Sequence, residues 1–262
     1  MAKSKIEWTD CTLNPVTGCT KISDGCKNCY AEKMHKRLKG IGIPEYQNNF
    51  NDSYDVWEHH HILEKPYKWK KPRKIFICSM SDFMLASVNF ALDILDMISK
   101  TPHHTYQILT KRSFDMEWLF NCRNSLPNNL WLGVTVKNNE ALIRVKNLKK
   151  IKQKHPNITT FISFEPLLEN LRELDLAGID WVIVGGETGA GARFCSHLWI
   201  DKIAWQCQEQ NVPFFFKSFG SNSPIMNNRK GNSKNNPRYG TRQYWCDLED
   251  IKQFPKKKEG KI

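Results

Sequence analysis

The most constraining feature of this chain is a recurrence. A short apolar run comes first, then a polar cluster, and in several cases a helical pattern follows. The runs are Lys74-Ile-Phe-Ile-Cys78, Tyr106-Gln-Ile-Leu109, Leu130-Trp-Leu-Gly-Val-Thr-Val136, Thr160-Phe-Ile-Ser163, Trp181-Val-Ile-Val184 and Pro213-Phe-Phe-Phe216. Each is rich in β-branched or aromatic residues, as buried parallel strands are. Between them, Phe90 to Ile98 carries apolar residues at helical spacing. Glu140 to Ile151 repeats the pattern through Leu142, Val145 and Leu148, and Trp199 to Gln210 does so through Ile203 and Cys207. Strand alternating with helix predicts βα units and a parallel sheet. With a further strand expected before Cys19, the fold class is α/β, a partial (β/α) barrel, with an open doubly wound sheet as the alternative. The 262 residues suit one barrel or two small domains.

The barrel is expected over residues 1–220. Residues 39–73 interrupt the pattern with aromatics, the triplet His59 to His61 and the basic stretch Lys68-Trp-Lys-Lys-Pro-Arg73. They read as a helical insertion with a linker. Neighbouring residues on a helix point in different directions, which argues against a metal shared by the three histidines. Residues 221–262 read as a basic, partly flexible C-terminal extension: Ser221 to Asn236 is rich in Asn, Ser and Lys, and Asp247 to Phe254 is a segment that could pack locally. No apolar run approaches ~18 residues, so no membrane span is expected. The first ten residues lack a signal-peptide pattern, and a cytoplasmic location is the expectation.

Nine cysteines are present, and Cys11, Cys19, Cys26 and Cys29 crowd the start. In a reducing compartment a tight cluster reads as metal ligation rather than as a disulfide framework. Gly18-Cys-Thr-Lys-Ile-Ser-Asp-Gly-Cys-Lys-Asn-Cys-Tyr30 spaces three of them C-x6-C-x2-C, with glycines at 18 and 25 for tight bends. Three ligands in one loop suit a [4Fe–4S] cluster with one iron open. Completion by Cys11 would instead give a four-cysteine zinc or iron–sulfur site, and a loop of unliganded cysteines is a third reading.

Polar groups close nearly every strand-like run. They are Ser79, Ser81 and Asp82; Thr110, Lys111 and Arg112; Thr135 and Lys137; Ser163 and Glu165; Gly185, Gly186 and Glu187; and Lys217. Strand ends of a parallel barrel share one face, where such folds place their sites. Pro166 restrains the backbone of Glu165. The turn Gly185-Gly-Glu-Thr-Gly-Ala-Gly191 permits close backbone approach, and Glu187 suits an amine or a ribose hydroxyl. Lys111, Arg112 and Lys217 suit phosphate or carboxylate. Trp8, Tyr30, Trp131 and Phe219 are either core or stacking surfaces. The net charge of +12 favours a polyanionic partner such as nucleic acid, or simply a soluble surface.

Several of these segments resemble one family. They are Asn14-Pro-Val-Thr-Gly-Cys19, Gly25-Cys-x-x-Cys-Tyr-Ala31, Ser79-Met-Ser-Asp82, Leu109-Thr-Lys-Arg112, Leu132-Gly-Val134, Ser163-Phe-Glu-Pro-Leu167, Val184-Gly-Gly-Glu187 and Phe215-Phe-Lys217. Together, over about Ile6 to Gly220, they are similar to the three-Cys-motif family of phage and prophage proteins, which resembles the radical S-adenosylmethionine (SAM) superfamily. The resemblance implies a partial (β/α) barrel carrying a [4Fe–4S] cluster on Cys19, Cys26 and Cys29, with SAM on the open iron. It places Ser81 and Asp82 where that superfamily binds the SAM amino group. Thr135 and Glu165 become candidates for the ribose or carboxylate, beside Gly185, Gly186 and Glu187. The chain departs from the commonest superfamily spacing, C-x3-C-x2-C, and has Asn28 where an aromatic residue often precedes the last cysteine.

The implied activity is reductive cleavage of SAM to a 5′-deoxyadenosyl radical that attacks a substrate. A nucleic acid or nucleotide is favoured, with Lys111, Arg112 and Lys217 as possible contacts. An electron donor of the flavodoxin or ferredoxin type would be needed. Two other readings stand beside it: a metal-stabilised nucleic-acid-binding phage protein without catalysis, and a radical enzyme that modifies peptides or proteins.

Overall fold

The computed structural model describes residues 4, 6–223 and 251–255. It divides into two compact units, Met1–Val134 with Lys146–Thr159, and Thr135–Val145 with Thr160–Ile262.

In chain order the first unit contains β1 (Cys11–Leu13), β2 (Val16–Thr17), α1 (Tyr30–Gly40), β3 (Trp57–Glu58), β4 (Lys74–Ile77), α2 (Val88–Lys100), β5 (Thr105–Thr110), α3 (Ser113–Asn121) and β6 (Leu130–Thr135). β1, β4, β5 and β6 pair side by side and parallel, with Leu13 opposite Ile77, Ile77 opposite Ile108 and Ile108 opposite Leu132. Ile75, Ile77, Tyr106, Ile108, Leu130 and Leu132 are fully buried. Burying a side chain of this size contributes about 1.5–3 kcal/mol. α2 shows why these crossovers are helical. Ser87 Oγ accepts from Phe90 N at 3.2 Å and caps the first turn. Phe90, Ala91, Ile94, Leu95, Met97 and Ile98 then form a buried stripe.

Two helices escape the sequence pattern. Ala31 and His35 are the buried residues of α1, so no apolar stripe marks it. α3 buries Met116, Leu119 and Phe120 but leaves Phe114 and Trp118 exposed, which blurs its apolar face. Residues 39–73, expected as a helical insertion and linker, form three 3-10 turns, Pro44–Tyr46, His60–Glu64 and Pro66–Lys68, together with β3. Pro44 and Pro66 each open a turn that does not propagate. β3 returns to pair antiparallel with β2, Val16 opposite Glu58. The three histidines diverge: His59 meets Thr17 Oγ1 at 2.9 Å, His60 lies 3.9 Å from Asp93 and His61 3.5 Å from Glu45.

The second unit contains β7 (Thr159–Phe164), β8 (Trp181–Gly185), α5 (His197–Glu209) and β9 (Phe214–Ser218), preceded by most of the turn into α4 (Ile143–Lys154). Every residue of β7 and β8 is buried. The three strands are parallel, with Phe161 opposite Trp181 and Val182 opposite Phe214. Val136 N, just past β6, donates to Ser163 O at 2.9 Å. Residues 251–255 lie antiparallel against β9: Phe216 N donates to Ile251 O at 2.9 Å, and Phe254 stacks on Trp181. The rest of the expected basic extension lies outside the described residues.

The six expected apolar runs are all strands, and helices follow β4, β5, β6 and β8 as the alternation predicts, whereas β7 runs to β8 without one. In each unit the parallel strands follow one another in chain order, without the reversal that marks a doubly wound sheet. No helix among the described residues is long and apolar enough to cross a membrane.

Candidate metal centre

The cysteine loop starts where β2 ends. Gly18 adopts φ +84°, a left-handed conformation, and a Cβ there would stand 2.6 Å from both Asn48 Nδ2 and Asp55 O. Only glycine fits. Ser81 Oγ donates to Gly18 O. Asn51 N donates to Cys19 O at 2.7 Å, and Asn51 Oδ1 accepts from Lys21 N at 3.2 Å. Residues 39–73 are therefore a wall of the loop rather than a linker.

Cys26 closes a 3-10 turn over Asp24–Cys26, and its Sγ lies 3.7 Å from Ser23 Oγ. Cys29 stands at the N-terminus of α1, and no side chain caps that end. Cys19, Cys26 and Cys29 are half-buried free thiols. Burial pushes the Cys19 thiol up to about 12, with Asp82 adding to the rise and Arg112 opposing it. Burial also acts upward on Cys26, but Lys111 and hydrogen bonds from Ile22 and Ser23 outweigh it, leaving that thiol below its ordinary value.

The cations come from the end of β5. Arg112 Nη2 donates to Thr20 O at 3.2 Å and to Thr20 Oγ1. Arg112 Nε is buried without a partner among the described residues. Asp82 holds this end in place: its carboxylate accepts from Thr110 Oγ1 at 2.5 Å, Lys111 N at 3.1 Å and Met84 N at 3.1 Å. It ties the end of β4 to the end of β5 and so positions Lys111 and Arg112 beside the loop.

Cys11 is not part of this group. It lies on β1 opposite Ile75, with Arg73 beside it at the start of β4. The cysteine that shares the electrostatic surroundings of Cys19 is Cys78, fully buried just past β4 with φ +58°. Sequence spacing gave no hint of it. Of the aromatics considered for stacking, Trp8 and Phe219 are core, and Tyr30 is exposed with its OH donating to Met80 Sδ at 3.4 Å.

In the second unit, Glu165 Oε1 pairs with Lys217 Nζ at 2.8 Å and Oε2 accepts from Ser163 Oγ at 3.2 Å. A Cβ on Gly185 would stand 2.9 Å from Glu165 Oε1. One on Gly186 would stand 2.2 Å from Phe219 O. The paired glycines thus admit the Glu165 side chain and the Phe219–Gly220 backbone. Glu187 is buried and clamped by Arg193, which donates from its backbone N (2.9 Å), Nε (2.9 Å) and Nη2 (2.5 Å). Thr135 is buried and its carbonyl accepts from Arg144 Nη1 at 2.7 Å. The expected residues therefore fall into two sets. Cys19, Cys26, Cys29, Ser81, Asp82, Lys111 and Arg112 belong to the first unit, and Thr135, Glu165, Gly185, Gly186, Glu187 and Lys217 to the second.

Among the described residues no three His, Cys, Asp or Glu side chains are gathered at metal-binding distance. The donor chemistry nevertheless fits an anionic metal cluster: three thiols in one loop, two cations that act on Cys19 or Cys26, and a buried guanidinium N–H with no partner among the described residues. Thiols bind metal as thiolates, so a cation at this loop would release their protons.

Searches of the curated proteins and of the solved structures return no match. One family model matches residues 3–251, nearly the whole chain, and the protein therefore belongs to the family described as protein of unknown function DUF5131.

Proposed function

We propose that the protein is a radical SAM-type enzyme, with Cys19, Cys26 and Cys29 holding a [4Fe–4S] cluster and a nucleic acid or nucleotide as its substrate. The observation that carries the reading is the placement of Lys111 and Arg112 against the three-thiol loop, with Arg112 Nε buried and unpartnered among the described residues. Cys19, Cys26 and Cys29 would hold the cluster, which would supply the electron for reductive cleavage of SAM.

The chain's own residues have distinct parts in this reading. Cys19, Cys26 and Cys29 bind as thiolates, and Lys111 and Arg112 offset their charge. Asp82 is a positioning residue that fixes both cations. Ser81 fixes the Gly18 carbonyl and with it the entry to the loop. Asn48, Asn51 and Asp55 wall the start of the loop at Gly18 to Lys21. A flavodoxin- or ferredoxin-type donor supplies the electron. The partial barrel of the radical SAM superfamily is the architecture that this reading requires of the parallel strands.

Anaerobic reconstitution with ferrous iron and sulfide tests the proposal. Iron and sulfide should be retained in equal amounts, and reduction in the presence of SAM should yield 5′-deoxyadenosine. Cys26→Ala should abolish iron retention and Cys11→Ala should preserve it. Loss of iron in Cys11→Ala would move the site to four cysteines. Zinc in place of iron, with SAM left intact, would transfer the protein to the metal-stabilised nucleic-acid-binding class.

A further inference from the structure

The face of the first unit built by α3 and the Lys146–Lys154 part of α4 lies outside the metal centre. The two helices lie side by side. Asn147 Nδ2 donates to Ser113 Oγ at 3.1 Å, Lys150 Nζ pairs with Glu117 Oε1 at 2.8 Å, and His155 Nε2 meets Phe120 O at 3.1 Å. Lys154 Nζ also donates to Asn121 O. On α3 the seam is therefore the ridge Ser113, Glu117 and Asn121. At 3.6 residues per turn, Phe114 and Trp118 form the next ridge outward. They are 67% and 59% exposed, while Met116, Leu119 and Phe120 face the core.

On α4, Leu148 and Ile151 face the core, and Lys146 and Lys150 lie on the outward side of the seam with Lys149 further round. The two outward stripes thus border the same seam, aromatic on one side and cationic on the other. Residues 146–154 hold five lysines and no acid. The acids of α3 are Glu117, engaged by Lys150 across the seam, and Asp115, which is exposed.

A large exposed ring at helical spacing beside a second one marks a contact surface rather than ordinary solvent exposure. The chemistry of the neighbouring helix selects the partner. Five lysines without an acid favour a polyanion, and exposed indole and phenyl faces favour unpaired bases over a closed duplex. We infer that the α3–α4 face binds single-stranded nucleic acid, with Lys146 contacting the phosphates and Trp118 and Phe114 stacking on the bases. The inference deepens the proposed function and rests on its reading of nucleic acid as the substrate. Binding at this face, however, requires neither iron nor SAM.

Fluorescence anisotropy with the full chain and labelled ~20-nucleotide single strands, DNA and RNA, tests it against a duplex of the same sequence. The single strands should bind more tightly than the duplex. Trp118→Ala should lose roughly tenfold or more in affinity and Lys146→Ala roughly threefold. Lys146→Ala should also lower the salt slope of log K by roughly 0.7, the share of one contact, whereas Trp118→Ala should leave the slope unchanged. Should Trp118→Ala not fold, Phe114→Ala carries the same expectation. Wild-type affinity in either variant, or equal binding of duplex, would overturn the assignment. So would a dimer of the chain alone that Trp118→Ala splits, since the rings would then serve self-association. A chain that binds the single strands through these residues but retains no iron would sink the radical-enzyme reading and leave this face standing.

Discussion

Lys111 at the end of β5 acts on the Cys19 and Cys26 thiols and Arg112 on Cys19, whereas Glu165 and Glu187 at the ends of β7 and β8 lie against their own cations, Lys217 and Arg193. In the sequence these look alike, as polar residues closing apolar runs. In the structure they differ in what satisfies them. The second unit neutralises its carboxylates internally, Glu187 with three N–H donors from one arginine. The first unit leaves a buried guanidinium N–H without a partner among the described residues, near thiols that a metal would convert to anions. Charge that the fold has already balanced is architecture, and charge that still needs a counter-charge is where an external ligand completes the set.

The comparison can be broken most directly at Gly186. If the second unit's strand ends are architecture, a methyl group there must fail, because its Cβ would stand 2.2 Å from the Phe219 carbonyl oxygen and 2.7 Å from its carbon. Backbone cannot give way as a flexible side chain can. Gly186→Ala should cost about 3 kcal/mol, read as a lowered denaturant midpoint. A variant that melts like the parent would show that this end of β8 is loose enough to serve as a ligand pocket. The metal centre offers the contrast, since its cysteines make no disulfide and carry no core packing of that kind.

The next largest effect belongs to Glu187. Its side chain is 6% exposed and that of its partner Arg193 27%. Removing the buried partner strands a partly buried cation, and Glu187→Ala should destabilise by about 2 kcal/mol. Glu165→Ala, at the more exposed pair with Lys217, should cost roughly half of that. Chemical denaturation of the two variants, each compared with the parent, sharpens the distinction. A larger cost at Glu165 would reverse the ranking of which carboxylate the fold depends on.

These differences set the limits of what the sequence could reveal. The strands were legible because burial on both faces writes itself as continuous apolar runs, as in Trp181-Val-Ile-Val184. α1 was not, because it buries little beyond Ala31 and His35, and its helical shape follows from the loop it caps. The thiol spacing was legible, being local. The role of residues 39–73 was not, because Asn48, Asn51 and Asp55 reach the loop only through the pairing of β2 with β3. The same holds for Arg193, which reaches Glu187 only because a glycine-rich turn folds back, and for Cys78, whose nearness to Cys19 depends on β4 lying beside β1. Motifs record residue types at fixed offsets, whereas partners across strands are recorded only in the fold.

The smallest expected effect probes an exception within the second unit. Asp201 on α5 has a buried Oδ1 without a partner among the described residues, and burial pushes its carboxyl up to about 6. The sign follows from linkage. The unfolded chain releases this proton near pH ~3.9, the folded chain only near 6, so folding is increasingly opposed as pH rises between the two and fully opposed above. Asp201→Asn removes the charge and keeps the shape. Its stabilisation should be near zero at pH 4 and reach about 1 kcal/mol at pH 7, a figure reduced for the side chain's partial solvent exposure. Urea midpoints of parent and variant at the two pH values measure it. A gain of equal size at both would mean that the asparagine acts through packing, and no gain at either would mean that solvent already satisfies the carboxylate. Either result would remove the exception, leaving the second unit balanced at this position too and the contrast with the thiol loop stronger.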